Sequence, residues 1–302
     1  MAGKRLFALL LVGVSAAAIS LETASGASAP GIPAAAAMTL TAADLPSATV
    51  AKQGVFTTKD PDVANAYQRE FEFKTPYGTS KYIQVVSEVL VTTSVDNAAT
   101  EYRIAGHSFS TPAYQRAIAK EVVSGAAAKD VLSVSKITPR ALGFGDSALE
   151  IGLIVHLKQK LTMDVSLSLY RVGKVVVLNV AIGRGSKINA ADARKFGELG
   201  LAHIDAALVP IVIAAPTVTG TAQQGQTLTA STGSWGDEPD SYAYQWQHCN
   251  ASGANCTDIA GATSATYAVT AADVGFTLRV DVTATNGYGA VMSPSVQTAI
   301  AA

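Results

Sequence analysis

The stretch LEIGLIVHLKQKLTMDVSLSLYRVGKVVVLNVAI, residues 149–182, decides the fold of the first part of the chain. Its first two segments carry an apolar residue at every second position: Leu149, Ile151, Leu153, Val155 and Leu157, then Leu161, Met163, Val165, Leu167 and Leu169. This alternation predicts two strands that each bury one face. Three residues, 158–160, join the segments. An odd-numbered loop keeps both apolar stripes on one side of an antiparallel pair.

The end of the same stretch predicts a third strand. Gly173-Lys174 suits a two-residue type II′ hairpin, which requires glycine at its first position. The turn sets the register, and apolar residues then face each other in pairs: Leu169 with Leu178, Leu167 with Val180, and Val165 with Ile182. Turn chemistry and apolar pattern therefore predict the same three-stranded antiparallel sheet.

Further strands are predicted upstream of this stretch. Over residues 67–74, one face would carry Tyr67, Arg69, Phe71 and Phe73, and the other Gln68, Glu70, Glu72 and Lys74. Over 81–93, one face would carry Ile83, Val85, Val89 and Val91. Both segments are therefore predicted to be strands. Before them, Thr41-Ala42-Ala43-Asp44 resembles a capping box that opens one helical turn. Pro46 closes this turn because it disfavours helical geometry in the preceding residue.

Two helices are predicted between the strands. The first is expected from a cap at Asp96 or Asn97 to about His107. The second begins at Pro112, since proline at the first helical position loses no hydrogen bond, and ends at Gly125. Its apolar stripe is Tyr114, Ala117, Ile118 and Val122.

A last helix, capped by Asn189, completes the first domain. One of its faces carries small and apolar residues: Ala193, Phe196, Gly197, Gly200, Ile204, Ala207 and Leu208. Each interior glycine costs about 1 kcal/mol of helix stability relative to alanine. We expect this cost to be offset by close approach of the helix to the sheet, which the missing side chains allow. Residues 38–210 are therefore predicted to form an α+β domain, an antiparallel sheet with helices on one face.

Residues 216–302 predict an all-β sandwich. Short strand-like pieces recur with turn residues between them: PTVTG, QTLTAST, SYAYQWQ, TDIAG, ATYAV, TLRVDVTATN and AVMSPSVQTA. Trp246 lies mid-strand, where we expect it in the core. The segment 270–275 is expected to cap a short turn before Leu278, Val280 and Val282 alternate inward.

The chain holds two cysteines, Cys249 and Cys256, in the sequence HCNASGANC. Zinc requires four ligands, and His248 alone adds too little to this pair. The spacing C-x6-C also differs from the C-x-x-C of redox helices. In an oxidising compartment the pair is expected to form a structural disulfide, which contributes on the order of 2–3 kcal/mol through loop entropy.

The N-terminus predicts export. Lys4 and Arg5 precede an apolar run over 6–19 that is too short for a spanning helix, and small residues follow at 24–29. We interpret residues 1–29 as a signal peptide, with an uncleaved anchor as the alternative. No membrane span is expected after cleavage, and the protein is predicted to be secreted, extracellular or associated with the cell wall. Residues 30–37 read as a low-complexity spacer and 211–215 as a short linker.

Charge separates the two predicted domains and excludes one class of partner. Residues 38–210 hold 19 Lys and Arg against 16 Asp and Glu, a net charge of +3. Residues 211–302 hold one basic residue, Arg279, against six acidic ones, a net charge of −5. Neither domain interleaves basic clusters with aromatic residues, so nucleic acid is not an expected partner.

No catalytic motif emerges from the sequence, and neither a cofactor nor a metal is predicted. G-x-S-x-G, H-E-x-x-H and the P-loop are all absent. His107, His156, His203 and His248 are scattered and are interpreted as ordinary surface or core-edge histidines. The segment 143–147, GFGDS, is interpreted as a turn that enters a strand, with a phosphate loop or a nucleophile as the alternative.

Aromatic residues offer two further candidates for binding. Tyr67, Phe71 and Phe73 could floor a ligand cleft, but core packing is the expected role. Trp235 could be an exposed contact for a carbohydrate or a protein. No ligand-binding residue is assigned from these patterns.

The first domain resembles a known group of proteins through LTAADLP at 40–46, GFGDSA at 143–148 and YRVGKVVVLNVAIG at 170–183. These residues are similar to the extracellular sensor domains of actinobacterial membrane Ser/Thr kinases and to small secreted Mog1/PsbP-like proteins. The resemblance implies an antiparallel sheet packed with helices and a ligand-binding cleft. Many such relatives carry disulfides or a lipid-attachment cysteine, whereas residues 38–210 hold no cysteine.

The second domain resembles the bacterial Ig-like modules of actinobacterial surface and secreted proteins. The residues that carry the resemblance are Gly225, Leu228, Gly233, Trp235, Tyr244, Trp246, Cys249, Cys256, Ile259, Gly261, Tyr267, Asp273, Val274, Gly275, Leu278, Arg279, Val280, Asn286 and Gly289. The resemblance implies that the cysteine pair staples the hairpin after the tryptophan strand. Arg279 and Thr277 stand where antibody domains have the second cysteine and the corner tyrosine.

Two functional hypotheses from different classes follow. The first is a secreted, non-enzymatic binding or cell-surface protein, in which a ligand-sensing domain is joined to an Ig-like interaction module. Its partners would be a small molecule, a lipid or a cell-surface ligand, or a protein bound through the Ig-like module. The alternative is a secreted hydrolase with an accessory Ig-like domain. Assembly with a membrane partner is a third hypothesis for the first domain.

Overall fold

The computed structural model describes residues 34–55, 60–77, 82–122, 130–136, 139–184 and 190–302. The chain divides into two compact units, and the boundary falls between Ala207 and Leu208. The predicted leader, 1–29, lies outside the described residues, as do the predicted helix end at Gly125 and the cap at Asn189. The described chain is rich in antiparallel strands, with few helices.

The described part of the first unit forms one eight-stranded antiparallel sheet. Its strands are β1 (Ala48–Val55), β2 (Val63–Tyr77), β3 (Tyr82–Thr92), β4 (Val131–Lys136), β5 (Arg140–Ala141), β6 (Ser147–Leu157), β7 (Thr162–Val172) and β8 (Val175–Arg184). The order is β1-β2-β3-β8-β7-β6-β4, and β5 pairs with β6. The strand pair at the centre, β3 and β8, therefore joins distant parts of the chain.

The predicted register of β6, β7 and β8 is confirmed. Leu149 faces Leu169 and Leu153 faces Val165 across the first pair, as the three-residue connection requires. The second pair aligns the expected apolar partners: Leu169 with Leu178, Leu167 with Val180, and Val165 with Ile182. Gly173 has a φ of +51°, which is the left-handed geometry that the first position of this turn requires.

Four described helices accompany the sheet: α1 (Ala35–Met38), α2 (Val95–Phe109), α3 (Pro112–Val122) and α4 (Ala190–Ala207). Ser94 caps α2 by accepting a hydrogen bond from the backbone N–H of Asn97 at 3.1 Å. The predicted caps, Asp96 and Asn97, are therefore wrong by two or three residues. Pro112 begins α3 as predicted.

Helices α2 and α3 cover the apolar face of β6, β7 and β8. The core between them contains residues that are nearly all fully buried: Val86, Ala98, Ala105, Phe109, Tyr114, Ile118, Ala119, Ile151, Leu153, Val155, Val165, Leu167, Leu169, Val176, Leu178, Val180 and Ile182. Burial of this apolar area is the main stabilising contribution in the unit.

The opposite face of the sheet is covered as well, which corrects the prediction of helices on one face. Helices α1 and α4 contact this second face, and a second core lies beneath them: Leu40, Leu45, Phe71, Phe73, Tyr82, Val85, Ala181 and Phe196. The alternation in β6 and β7 assigns the second face to solvent. Instead, α4 shields it, so polar residues there are buried.

The glycines of α4 allow this close approach, as predicted. A Cβ at Gly200 would clash with the hydroxyl of Tyr170 on β7, and a Cβ at Gly197 would clash with the ring of Phe144. Phe144 in turn packs edge-on against Tyr170, with 5.2 Å between ring centroids. Glycine therefore sets the distance between α4 and the sheet.

A row of polar residues crosses this second face from one strand to the next. We call it the polar row: Gln53, Arg69, Ser87, Asn179, Ser168, Glu150 and Arg140, each opposite the next in the registers. Four of its members are only 1–2% exposed: Ser87, Asn179, Ser168 and Glu150. Glu150 accepts hydrogen bonds from Arg140 at 2.5 Å and from the Ser166 hydroxyl at 2.9 Å. The row therefore pairs a buried carboxylate, Glu150, with the exposed guanidinium of Arg140 at the edge of the sheet.

The second unit contains the following strands: β9 (Ile211–Ala214), β10 (Val218–Thr219), β11 (Thr227–Ala230), β12 (Ser234–Gly236), β13 (Ser241–Cys249), β14 (Thr257–Asp258), β15 (Thr266–Ala268), β16 (Thr277–Asn286) and β17 (Gly289–Pro294). They form antiparallel sheets with the orders β10-β11-β15, β14-β13-β16-β17 and β12-β9. Every predicted strand-like piece of this domain overlaps one of these strands.

One core lies between the two larger sheets of the second unit. Its buried members are Leu228, Ala230, Trp246, Val269, Leu278, Val280, Val282 and Ala301. Trp246 is fully buried, as predicted, and its indole N–H donates to the carbonyl of Ser264 at 2.9 Å. The inward alternation of Leu278, Val280 and Val282 is also confirmed.

Two predicted connecting segments are ordered parts of the units. Residues 211–214, predicted as linker, form β9 and pair with β12. The last residues of the predicted spacer 30–37 belong to α1, where Ala35 and Met38 are fully buried. Alanine-rich composition suggested a flexible spacer, but small apolar side chains also pack closely against α4 and the sheet.

The helices were also compared with the thickness of a bilayer. Among the described residues, none of them combines the length and apolar character that a membrane-spanning helix requires.

Candidate functional site

A cleft of about 430 Å³ lies in the second unit beside Tyr267. It is lined by His248, Ile259, Ala260, Gly261, Ala262, Thr263, Ser264, Thr266, Tyr267, Ala268, Thr270, Ala272 and Asp273. Most of these side chains are small or carry a hydroxyl group. The cleft therefore offers hydrogen-bonding groups and room for a second chain or a small molecule.

Aromatic stacking fixes one wall of the cleft. The ring of Tyr267 stacks on the buried ring of Trp246, with 5.5 Å between centroids and 27° between planes. His248 stacks on Phe276 in the same way, with centroids 4.8 Å apart. Both ring pairs restrain the side chains that border the cleft.

Asp273 organises the polar groups of the cleft although its own side chain is fully buried. Its carboxylate accepts hydrogen bonds from the Tyr267 hydroxyl at 2.9 and 3.0 Å. The backbone N–H and the hydroxyl of Thr270 donate to it at 2.5 and 2.8 Å. The ring Nε2 of His248 completes this set with a short contact to Oδ1. Both carboxylate oxygens are therefore fully engaged.

These contacts fix the charge states of two groups. Burial raises the pKa of the Asp273 carboxyl, but the hydrogen bonds from His248 and Thr270 outweigh burial and hold this pKa below its ordinary value. Burial, together with the neighbouring carboxylate, raises the pKa of Tyr267 to about 12. At neutral pH the phenol is therefore protonated and the carboxylate is ionised.

Local sequence explains why Asp273 lies where it does. Thr270 and Asp273 form the predicted capping box around a single turn of 3₁₀ helix, residues 271–273. Gly275, with a φ of +92°, then turns the chain towards β16. The prediction of a capped turn is confirmed, but it did not include the histidine that the carboxylate binds.

The disulfide holds the strand connection that precedes the cleft wall. Cys249 and Cys256 are bonded, as predicted, with an S–S distance of 2.03 Å. Cys249 ends β13, and Cys256 immediately precedes β14, which pairs back onto β13 at His248. The wall 259–264 continues directly from β14, so the bridge restrains both the wall and His248.

The first unit repeats the threonine–aspartate box with the same four-residue sequence, Thr-Ala-Ala-Asp. Thr41-Ala42-Ala43-Asp44 forms a box in which the N–H and hydroxyl of Thr41 donate to Asp44 at 2.6 and 2.7 Å. His203 of α4 contacts the same carboxylate at 2.9 Å. The predicted cap is present, whereas the interpretation of His203 and His248 as ordinary histidines missed both pairs. The repeated tetrapeptide indicates the two boxes, but it does not indicate which histidine contacts each of them.

The other predicted candidates have structural roles. His107 is exposed, and His156 contacts the hydroxyl of Ser135 at 3.0 Å. In the segment 143–147, Asp146 accepts a hydrogen bond from the backbone of Gly173 at 2.8 Å. That segment is therefore a turn that braces the hairpin between β7 and β8, as interpreted from the sequence.

The aromatic candidates are packed in cores. Phe71 and Phe73 belong to the second core of the first unit, and Tyr67 is 7% exposed. Trp235 packs against the core of the second unit and donates its indole N–H to the carbonyl of Thr232 at 2.7 Å. Tyr67, Phe71 and Phe73 therefore have the expected role in core packing, whereas Trp235 keeps part of its surface exposed.

The buried acids of the first unit lie on opposite faces of its sheet. Burial raises the pKa of Glu88 to about 8 and that of Glu101 to about 7, with Asp60 and Asp62 adding to the latter. Both lie on the side of α2 and α3. Asp164, whose pKa burial raises to about 6, faces the opposite side. These three acids are therefore divided between the two faces of the sheet.

Metal binding was considered for the described part of the chain. Its histidines, cysteines and carboxylates form no group of three or more that could hold a metal ion. The two aspartate–histidine pairs each provide two such groups, fewer than a structural zinc site uses.

No protein-family model and no curated protein matches the chain. Among solved structures, the chain is similar to a beta-1,2-glucanase from Parabacteroides distasonis, with 11% sequence identity and a TM-score of 0.20. The match covers 84% of this chain and 36% of that one. A likeness at this score carries no argument about fold or function.

Proposed function

We propose that the chain is a secreted, non-enzymatic binding protein that joins an α+β, ligand-sensing-like domain to an Ig-like interaction module. The cleft beside Tyr267 is its binding site. One observation carries the proposal: the ionisable side chains Asp273 and Tyr267 are tied to each other and fixed in single charge states. A fixed set of hydrogen-bond donors and acceptors suits the recognition of a bound molecule.

The architecture of the second unit supports the Ig-like part of the proposal. Two antiparallel sheets enclose one core around Trp246, and the disulfide staples the hairpin after the tryptophan strand. Arg279 and Thr277 occupy the positions of the missing antibody-type cysteine and tyrosine. These features agree with the bacterial Ig-like modules that the sequence resembles.

The disulfide also supports export. Disulfides persist in oxidising compartments and are rare in the cytosol. The basic residues Lys4 and Arg5, the apolar run 6–19 and the small residues that follow form a leader of the secretory type. Together these features favour a protein that works outside the cytoplasm, in the medium or at the cell wall.

Native mass spectrometry of the full chain, purified from the culture medium of its host, tests the binding function. We expect a non-covalent mass on the wild-type protein. Ala260→Trp narrows the cleft from an exposed position, and this variant should lose that mass. Ala251→Trp, exposed on the disulfide loop outside the cleft, is the matched control and should keep it.

The same sample separates binding from catalysis. The bound molecule is released in acid, purified and incubated with fresh protein. An unchanged mass supports a binding protein. A product of different mass would establish an enzyme instead, in line with the alternative of a secreted hydrolase.

A further inference from the structure

Strand β15 lies at the edge of its sheet, alongside the cleft. It pairs with β11 on one side, and no described strand pairs with its other side. Its three residues, 266–268, all line the cleft. A free strand edge in a cleft is a template on which another extended chain can pair.

The hydrogen bonds on either side of β15 show which residues point to the cleft. Val269 donates to Gln226 at 2.9 Å, and Ala265 accepts from Ala230 at 2.8 Å, so both direct their backbone groups towards β11. Tyr267 lies two residues from each and shares their direction. Because direction alternates along an antiparallel strand, Thr266 and Ala268 direct their N–H and C=O groups away from β11.

The free edge has defined ends. At one end the carbonyl of Ser264 accepts from Trp246, and at the other the N–H of Thr270 donates to Asp273. Between them, the backbone groups of Thr266 and Ala268 have no hydrogen-bond partner among the described residues, and both residues are exposed to solvent. Two donors and two acceptors therefore repeat at a spacing of roughly 7 Å, the two-residue repeat of a strand.

The side chains around this edge leave room for a second backbone. The opposite wall, 260–264, consists of alanine, glycine, threonine and serine. Small side chains permit the separation of about 4.8 Å that neighbouring strands adopt. The wall and β15 thus border the same cleft of about 430 Å³, which gives an extended peptide space beside the free edge.

Charge selects among peptides. Residues 211–302 carry six acidic side chains and one basic one, Arg279, whose Nε donates to Gln247 at 2.7 Å. Asp258 is exposed on β14, immediately before the cleft wall at Ile259. The unit therefore attracts basic segments and repels acidic ones over distances of about a Debye length, roughly 10 Å at 0.1 M salt.

We propose that the cleft binds an extended, basic polypeptide segment, which adds to β15 as an additional strand and hydrogen-bonds to Thr266 and Ala268. This inference rests on the proposed function of the cleft and names the class of its partner. Specificity arises from backbone pairing and charge, so the segment needs alternating small and basic side chains more than a fixed sequence.

Amide hydrogen exchange measured by NMR on the full chain tests the pairing. The probe is a blocked hexapeptide of alternating lysine and threonine. At about ten times its Kd, this peptide should slow exchange at Thr266 and Ala268 by about tenfold. The amide of Tyr267, already bonded to β11, should be unchanged. Equal effects at all three amides, or none, would overturn the proposal.

Two further probes remove the backbone donors from either partner. Ala268→Pro deletes the outward N–H and should abolish peptide binding, whereas Ala268→Ser keeps it and should bind as the wild type does. If the proline variant fails to fold, the hexapeptide with N-methylated amides at alternate positions provides the same test on wild-type protein. Binding of that peptide with undiminished affinity contradicts strand addition.

Charge is tested with the glutamate counterpart of the hexapeptide. It should bind at least tenfold more weakly at low salt, and the difference should shrink at high salt. Failure of these peptide tests, together with loss of the native mass in Ala260→Trp, would leave the binding function intact and reject only the partner class. Absence of any bound mass would reject the function itself.

Discussion

The same tetrapeptide, Thr-Ala-Ala-Asp, occurs once in each unit and makes the same local structure. Residues 41–44 and 270–273 both close a threonine–aspartate box, and both aspartates contact a distant histidine. The difference lies in burial: the Asp44 side chain is 13% exposed, whereas that of Asp273 is fully buried and also binds Tyr267. Local sequence fixes the box, and the surrounding fold decides how much depends on it.

Removing each carboxylate should break the comparison most strongly. Asp273→Ala leaves His248, Tyr267 and Thr270 without a buried acceptor, which should lower the free energy of unfolding of the second unit by about 3–4 kcal/mol. Asp44→Ala should cost the first unit about 1 kcal/mol, the usual value for a cap. Trp235 and Trp246 are the two tryptophans of the chain, so urea unfolding followed by tryptophan fluorescence reports the second unit.

Asp258→Ala is the control for that measurement. This carboxylate is exposed in the same unit, and its loss should change the free energy of unfolding by less than about 0.5 kcal/mol. Equal costs for Asp273→Ala and Asp258→Ala would show that the hydrogen bonds to Asp273 contribute nothing.

The pH dependence of the two units should differ in sign. Burial raises the pKa of Glu88 to about 8, so the folded first unit keeps a proton that the unfolded chain releases. Its stability should fall by several kcal/mol as pH rises from about 4.5 to 8. The pKa of Asp273 lies below its ordinary 3.8, so the contribution of this carboxylate to the stability of the second unit is lost as pH falls below that value.

Circular dichroism at 222 nm reports the first unit in this experiment, since all described α-helices lie there. Glu88→Gln should flatten the decline between pH 4.5 and 8, while Glu198→Gln, an exposed control on α4, should leave it unchanged. A first unit whose stability rises over this range would contradict the assigned burial of Glu88.

Loss of the disulfide should affect the two units differently, because both cysteines lie in the second unit. Replacing Cys249 and Cys256 by serine should lower the stability of the second unit by about 2 kcal/mol, through the entropy of the released loop. The first unit should be unaffected. An unchanged fluorescence midpoint in the double variant would show that the hairpin is held by its strand pairing alone.

The smallest effect is expected where α4 meets the sheet. Gly200→Ala should destabilise the first unit by about 1 kcal/mol, because the clash with Tyr170 exceeds the gain in helix propensity. Gly106→Ala on α2 is the matched control. Its Cβ would meet Leu149 at an ordinary 3.6 Å, so this variant should be about 0.5–1 kcal/mol more stable. The same sign for both variants would contradict the close approach of α4.

The parts of the fold that the sequence predicts depend on local rules. The registers of β6, β7 and β8 follow from two-residue periodicity and one glycine turn, and the box at 270–273 follows from residue types three apart. The face covered by α4 depends on a crossover that no local pattern encodes. Ser166, Ser168 and Asn179 therefore resembled a solvent face, although each is 1–2% exposed beneath α4.

The candidate site was partly hidden from sequence reasoning for the same reason. His203 and Asp44 are 159 positions apart, and His248 and Asp273 are 25 apart, so no spacing rule links them. The cysteine pair was predictable because its chemistry is local and its loop is short. The free edge of β15 requires the sheet order, which strand patterns alone leave open.

The central pairing of β3 with β8 has a consequence for the order in which the protein matures. Residues 82–92 wait for residues 175–184 before the middle of the sheet can close, so half of the first unit stays incomplete while the chain is still being synthesised. Because this pairing forms late, the first unit remains incompletely folded for longer. The hairpin of β16 and β17 in the second unit needs only near neighbours, so it can form soon after it is synthesised.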